Sequence, residues 1–549
     1  MSKKIVIVGG VAGGATAAAR LRRLDEKSSI VMFERGEYIS FANCGLPYYI
    51  GETIQQRNKL LVQTVPGMSK RFNLDIRNKT EVQSINREKK TVTVQHIESG
   101  ETYEESYDVL ILSPGAKPIQ PPIPGIEADN IFTLRNVPDT DRIKHHVDVT
   151  KPAKATVIGG GFIGLEMAEN LVERGVQVTV VEKSQQVMAP IDIEMAAFVH
   201  QELKDKGVEL IVEDGVQAFE QDGKQLVLES GRTIDTDMTI LSIGVQPENT
   251  LAKEAGLTLG KRGGIIVNEY LQTDDPAIYA VGDAIEVKDY VLGTPVMIPL
   301  AWPANRQGRI VANNIYGKEE RYNGTLGTSI VKIFDYTVAA TGLNEKFLSA
   351  HDVPYQVVHL HPASHAGYYP NAKQISIKLL FNPEKGNILG AQMVGKDGVD
   401  KRIDVVATAI KGNLTVEDLP DLELAYAPPF SSAKDPVNMA GYVATNVLHG
   451  DVNVVQWHEI DQIVENDGFL VDVRTPKEWD KGFINGAINI PLDELRQHLY
   501  ALPKDKPIYV YCQVGLRGYL ATRILNENGF QARNVDGGWK TYSTAHQLI

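Results

Sequence analysis

The sequence predicts a multidomain α/β protein, with two nucleotide-binding domains, a separate α+β domain and a small C-terminal α/β domain. Three observations predict it. First, a strand–glycine turn–helix–strand unit occurs twice: KIVIV (residues 4–8), GGVAGGATAAARLRRL and IVMFER, then ATVI (residues 155–158), GGGFIGLEMAENLVERG and VQVTVVEK. Second, 549 residues are too many for one compact domain. Third, strands and helices alternate again after about residue 456.

In chain order, each repeated unit opens a Rossmann-like domain. Between them TVTVQ and YDVLILS read as strands, and MTILSIG and TDDPAIYAVGDA follow the second unit. Residues from about 325 to 445 mix strands (SIKLLF) and helices (RIDVVATAIKG) without a nucleotide signature, which marks a different α+β domain. HGDVNVV is a candidate linker. FLVDVRTPKEW, GAINIP, PIYVYCQVGLRGYLATRILNENG and NVDGG then make one small α/β domain. The expected boundaries are 1–150 with 270–325, 151–269, 326–445, a linker at 446–455, and 456–549.

Composition narrows the function classes. Hydrophobic residues at 43% and charged residues at 23% are enough for cores and too little charge for disorder. A formal charge of −13 argues against general binding to nucleic acid or anionic membrane. No apolar run is long enough to span a bilayer, and MSKKIVIVGG reads as a buried first strand, not a signal peptide, so a cytoplasmic location is expected. Two cysteines, Cys44 and Cys512, are too few for a disulfide framework or an all-cysteine zinc site, and no metal site is expected.

A dinucleotide site needs backbone N–H groups aimed at a pyrophosphate from a glycine turn at a helix N-terminus, and an acid at the end of the next strand for the ribose. The second unit fits, with Gly159, Gly161, Gly164 and the acid Glu182, and Gly244 ends its later strand. The first has Gly9, Gly10 and Gly14, with Val11 at the middle position and Ala12 after it; Glu34 and Arg35 end its second strand. Glu182 favours NADH, because a carboxylate repels a 2′-phosphate, and Lys183 beside it tempers that preference.

These motifs make residues 1 to about 445 resemble the flavin-dependent pyridine nucleotide–disulfide reductases. The resemblance implies that the first glycine turn binds FAD and the second NAD(P)H. It implies that Asp283, closing the segment from Thr273, contacts the flavin, and that residues 326–445 form a dimerisation domain. YDVLILSPGA, with Gly115, resembles the family's central motif, but Ser113-Pro114 replaces the usual Ala-Thr.

Most of that family pairs two cysteines five positions apart; here Cys44 stands alone in SFANCGLPYY. Its partner sulfur must then come from a small thiol in mixed disulfide, or an oxygen must take that place as in a sulfenic acid. Cys44 is expected to serve as a low-pKa thiolate. SFANCGLPYY and GGVAGG resemble the coenzyme A–disulfide reductase branch. That resemblance places Thr16, Arg20, Arg23, Ser40 and Asn43 along a coenzyme A path, with Asn305 and Lys434 as further contacts; Arg22 is left out. It also implies that Tyr368 and Tyr426 reach across a homodimer as proton donors to a leaving thiolate.

Cys512 follows an apolar strand and opens Cys512-Gln513-Val514-Gly515-Leu516-Arg517, a CxxGxR loop before a helix. Such a loop turns N–H groups toward the sulfur, and Arg517 adds charge. Residues 456–549 resemble a rhodanese (sulfurtransferase) domain through Asp472-Val473-Arg474, Glu478-Trp479, Gly486 to Pro491 and Gly537-Gly538-Trp539, with Phe483 where the family often has histidine. The expected function is NAD(P)H- and FAD-dependent reduction of coenzyme A disulfide or persulfide at Cys44, coupled to sulfane sulfur at Cys512. Two alternatives stay open. One is an NADH peroxidase or oxidase cycling Cys44 through sulfenic acid; the other is a redox or sulfur sensor with little turnover.

Overall fold

The computed structural model describes residues 2–546 and forms two compact units. The first comprises Met1–Ser184 and Val208–Gly327, the second Gln185–Gly207 and Thr328–Ile549.

The first unit holds two five-stranded parallel sheets. One runs in the order Asp75–Asn78, Ser29–Glu34, Lys4–Val8, Val109–Leu112, Ile278–Ala280. Numbered along the chain, its strands lie 3-2-1-4-5, so the order reverses beside Lys4–Val8, where nucleotide-binding crevices form. The other repeats the plan with Glu209–Ile211, Gln177–Val181, Lys154–Ile158 and Met238–Leu241, and adds Ile131–Phe132 at the edge. Parallel strands are covered on both faces, which is why KIVIV and ATVI are continuous apolar runs and not alternating ones. Each sheet is accompanied by an antiparallel three-stranded meander, Thr80–Ser106 in one case and Val216–Asp235 in the other. The internal repeat therefore extends well beyond the glycine motifs.

The second unit contains a five-stranded antiparallel sheet, in the order Ser329–Ile333, Tyr336–Gly342, Ile388–Gly395, Ile375–Phe381, Gln356–Leu360. Every residue of Ile375–Phe381 and Ile388–Gly395 is buried. Helix Ile193–Asp205, from within the span 151–269, packs in this unit and brings acids with it. They are needed because Lys378, in the middle of a buried strand, is completely inaccessible. Its ammonium pairs with Asp192 at 2.9 Å and with Glu194 and Glu345. Burial acts to discharge Lys378, but these carboxylates outweigh it and raise its pKa.

The same unit ends in a parallel five-stranded sheet, ordered Val454–Val455, Ala532–Val535, Ile508–Tyr511, Phe469–Asp472, Ala487–Asn489. Val454–Val455, at the end of the expected linker, is thus one of its strands. Among the described residues no helix is long and apolar enough to cross a membrane.

Candidate functional site

The two glycine turns share one geometry. Gly9 and Gly159 have φ of +98° and +102°, and a Cβ on either would lie 2.0 and 2.4 Å from the carbonyl oxygens of Ser113 and Ser242. A Cβ on Gly14 or Gly164 would lie 1.9 Å from the carbonyl of Gly9 or Gly159. These four glycines let helix and strand touch. Gly161 differs, since a Cβ there would meet nothing within 4 Å. It borders open space, as backbone approached by a pyrophosphate must.

The acids close both turns. Glu34 accepts from the N–H of Gly10 at 2.9 Å and of Gly36 at 2.8 Å; Glu182 accepts from Gly160 and Ser184, both at 2.8 Å. Ala12 opens helix Ala12–Leu24, whose N-cap is Val11. This donor set, with N–H groups at a helix start and an acid at the turn, fits a dinucleotide in each half. Gly115 and Gly244, both at positive φ, flank an antiparallel link between Ala116–Pro118 and Val245–Pro247. Arg35 donates to Glu248 at 3.0 Å.

Cys44 lies in a 3-10 turn, Asn43–Gly45, and is exposed and unpaired. The expectation of a low-pKa thiolate is not met by the surrounding protein. Crowding by protein atoms pushes the thiol up, and the carboxylates of Glu166 and Asp283 push the same way. Asp283 is itself raised by burial, against Arg135. Glu166 escaped the sequence reading, although it stands two residues after Gly164. Burial and Glu169 raise it to about 7, against a hydrogen bond from Tyr48 at 3.3 Å. A carboxyl group that changes protonation near neutral pH thus acts on the Cys44 sulfur.

The expected substrate residues of this unit lie along two packed helices and the Cys44 segment. Thr16 donates to Asn305 at 2.6 Å, and Arg20 donates to Asn313 at 2.9 Å. Arg23 is exposed, with a hydrogen bond to the Ala19 carbonyl one turn back. Arg22 is buried and donates to the carbonyls of Phe72, Asp25 and Asn73, which gives it a structural task. Ser40 adopts φ +44° and donates its N–H to Gly10, joining the Cys44 segment to the first glycine turn. Asn43 is exposed.

In the second unit, the Tyr368 and Tyr426 hydroxyls are 2.6 Å apart. The side chains are 75% and 47% exposed, which leaves the pair open to an incoming group. The hydrogen bond to Tyr426 raises Tyr368. Lys434 is exposed, with its ammonium 5.7 Å from the Tyr442 ring centroid.

Cys512 is fully buried at the end of strand Ile508–Tyr511. Gly515, at φ +102°, donates its N–H to the sulfur at 3.2 Å and caps helix Leu516–Glu527. Trp539 and Lys540 hold the loop from behind, donating their N–H groups to the carbonyls of Cys512 and Gln513 at 2.8 and 2.9 Å. Arg517 forms a two-point pair with Glu478 at 2.8 and 2.6 Å, and faces the Cys512 sulfur as well. Arg517 holds Glu478 down at about 2. Phe483 stacks on Trp479 at 3.9 Å. Behind the loop, His359 donates its backbone N–H and Nδ1–H to Asp536 at 2.9 and 2.7 Å, and Nε2–H to Glu194 at 3.0 Å. Burial opposes charge on His359, but the two carboxylates outweigh it and keep the imidazole protonated up to about 9.

Comparison with known proteins agrees with these geometries. The family described as pyridine nucleotide–disulphide oxidoreductase matches residues 3–308, its dimerisation domain residues 328–436, and the rhodanese-like domain residues 456–545. A coenzyme A disulfide reductase of Staphylococcus aureus is 40% identical over 442 residues, 80% of this chain and 99% of the relative. The crystal structure of reduced Bacillus anthracis CoADR-RHD superposes with a TM-score of 0.99 at 65% identity, covering 100% of this chain and 99% of the other. A NAD-dependent persulfide reductase from A. fulgidus superposes with a TM-score of 0.92 at 37% identity, covering 98% and 100%. The chain belongs to the pyridine nucleotide–disulphide oxidoreductase family, whose members use FAD and NAD(P)H, and it carries a C-terminal rhodanese-like domain.

Proposed function

We propose that this protein reduces coenzyme A disulfide and coenzyme A persulfide through a mixed disulfide at Cys44, and that Cys512 carries sulfane sulfur. The observation that carries the reading is the solitary thiol: Cys44 is free, and the chain has one other cysteine, buried in its own loop. The resolving sulfur must then arrive with the substrate. The coenzyme A disulfide reductase and persulfide reductase similarities support the same substrate class.

The Cys44 thiolate attacks one sulfur of coenzyme A disulfide. The S–S bond breaks, Cys44–S–S–CoA forms, and one coenzyme A thiolate leaves and takes a proton. With coenzyme A persulfide, attack on the inner sulfur gives the same mixed disulfide and releases sulfide. When bound, FAD and NAD(P)H would supply the two electrons needed to return the mixed disulfide to Cys44 thiolate and coenzyme A thiolate. Thr16, Arg20, Arg23, Ser40, Asn43 and Asn305 orient the coenzyme A, with Lys434 as a further phosphate contact. Gly9, Gly10, Ala12, Gly14, Glu34, Arg35, Gly115 and Asp283 hold FAD, and Gly159, Gly161, Gly164, Glu182 and Gly244 hold the nicotinamide cofactor, with NADH favoured by Glu182. Tyr368 and Tyr426, hydrogen-bonded to each other, protonate the departing thiolate across a homodimer. At Cys512 the Gly515 N–H and Arg517 stabilise a persulfide anion.

Intact mass of the purified protein before and after a reductant tests the reading. Loss of one coenzyme A mass is expected. Loss of one oxygen would replace the mixed disulfide with a sulfenic acid and overturn the substrate assignment.

A further inference from the structure

Lys540 lies on helix Gly538–Ala545, and its backbone N–H braces the Cys512 loop. Its ammonium is half-buried at the wall of a cavity of about 260 Å³, also lined by Phe198, Tyr336, Lys373 and Lys396. Among the described residues no carboxylate pairs with it and no oxygen accepts from it; its one contact is the Phe198 ring, 5.4 Å away. A ring face attracts a cation but offers no acceptor to three N–H donors. An ammonium taken partly out of water without an acceptor is costly, and such groups normally have a partner.

The surrounding charges do not supply one. Lys396 sits 5.1 Å from the Tyr336 ring and 3.3 Å from Asp335, which also takes Lys206 at 2.9 Å. Lys373 has no ion pair among the described residues and is exposed at the rim. Behind the wall, His361 is held neutral by burial, by Lys540 and by His359, and its two nitrogens are used by Ser376 at 2.9 Å and Thr541 at 2.8 Å. Burial also lowers Lys540 itself. Three lysines thus line a cavity that, among the described residues, has no carboxylate in its wall; Glu202, Asp205 and Asp335 face Tyr336 beside it, and Asp335 is already shared by Lys206 and Lys396.

We propose that this cavity is an oxyanion site, taking a tetrahedral dianion of the phosphate, sulfate or thiosulfate class, free or as a phosphate ester, with Lys540 as its central ligand. The cavity has room for such a group with water or an ester substituent, and its lining lysines offer N–H donors to anionic oxygens. Lys540 also donates its backbone N–H to the Gln513 carbonyl, so an anion on its side chain braces the helix that backs the Cys512 loop.

Calorimetric titration of the full-length holoenzyme, at constant ionic strength in chloride, tests this with inorganic phosphate, sulfate and glycerol 3-phosphate, none of which is a substrate of the Cys44 or Cys512 sites. One saturable site per chain is expected, absent in Lys540→Met and weakened about tenfold in Lys373→Met. Binding of all three probes marks a site for the free anion; binding of glycerol 3-phosphate alone, still dependent on Lys540, marks a site for the ester. Thermal denaturation supplies the second measurement. Without added anion, Lys540→Met should melt no lower than the parent, because it removes an unpaired charge. With anion, the parent's midpoint should rise and the variant's should not. Absence of saturable binding at millimolar anion overturns the proposal, as does undiminished binding by Lys540→Met. So does a variant that melts below the parent in anion-free buffer, since that would reveal an internal partner for Lys540.

Discussion

Cys44 and Cys512 are the chain's two cysteines, and their surroundings differ in kind. Cys512 is fully buried, receives a backbone N–H, faces an arginine and sits in a loop braced by two further N–H groups. Everything that favours an anion on that sulfur is built into the chain. Cys44 is exposed, and its neighbours Glu166 and Asp283 disfavour a thiolate. Its reactivity therefore depends on groups that bind beside it. On the proposed function, one cysteine is configured by the fold to hold sulfur, while the other acts as a nucleophile only when substrate and cofactors bind.

Exchange of the two thiols gives the largest expected effect. Cys44→Ser should reduce coenzyme A disulfide reduction by about 10³-fold or more, as loss of a nucleophile does. Cys512→Ser should leave it within about twofold, read as steady-state NADH oxidation; a comparable loss in both would erase the distinction between the sites. Next, Arg517→Ala should slow thiosulfate-to-cyanide sulfur transfer by about 10²-fold, measured as thiocyanate release, with disulfide reduction unaffected.

A smaller effect is expected at Glu166. Glu166→Gln removes a carboxylate that pushes the Cys44 thiol up, so the alkaline rise of kcat/KM should move to lower pH by about half a unit. No movement would mean that bound groups alone set the Cys44 thiol. The smallest effect concerns stability. His359 keeps its proton up to about 9 when folded, against its ordinary 6.5. A raised folded-state pKa contributes stability fully present below about 6.5 and lost as pH rises through about 9. Asp536→Asn should lower the thermal midpoint at pH 6 by a few degrees and leave it nearer the parent at pH 9.5. An equal deficit at both pH values would assign the loss to packing and not to charge.

The sequence made the periodic features legible and the distant ones not. Within each repeated unit the strand runs, the glycine spacing and the acid, Glu34 or Glu182, lie within about 30 residues, and local pattern reveals them. CxxGxR likewise predicted the N–H contact at Cys512. The carboxylates that push the Cys44 thiol up, Glu166 and Asp283, are brought to it by other elements, more than a hundred residues along the chain, where local pattern does not reach. Nothing in SIKLLF itself signals that Lys378 is buried. Asp192 and Glu194, carried in with a helix from another part of the sequence, join Glu345 in accounting for its burial. RLRRL shows the same limit at close range: Arg22 is buried and Arg23 exposed, a split decided by the carbonyls of Phe72 and Asn73.

The excursion of Gln185–Gly207 into the second unit has a genetic consequence. Asp192 and Glu194 come from before the sheet that contains Lys378 and His359, while Asp536 comes from after it. A gene cut to begin at Thr328 would encode two buried cations without two of their acids. A gene in which recombination replaced the C-terminal domain would have to bring a carboxylate to position 536. The order of coding segments and the grouping of charges do not coincide, so inheritance of this protein in interchangeable modules is constrained by a handful of side chains.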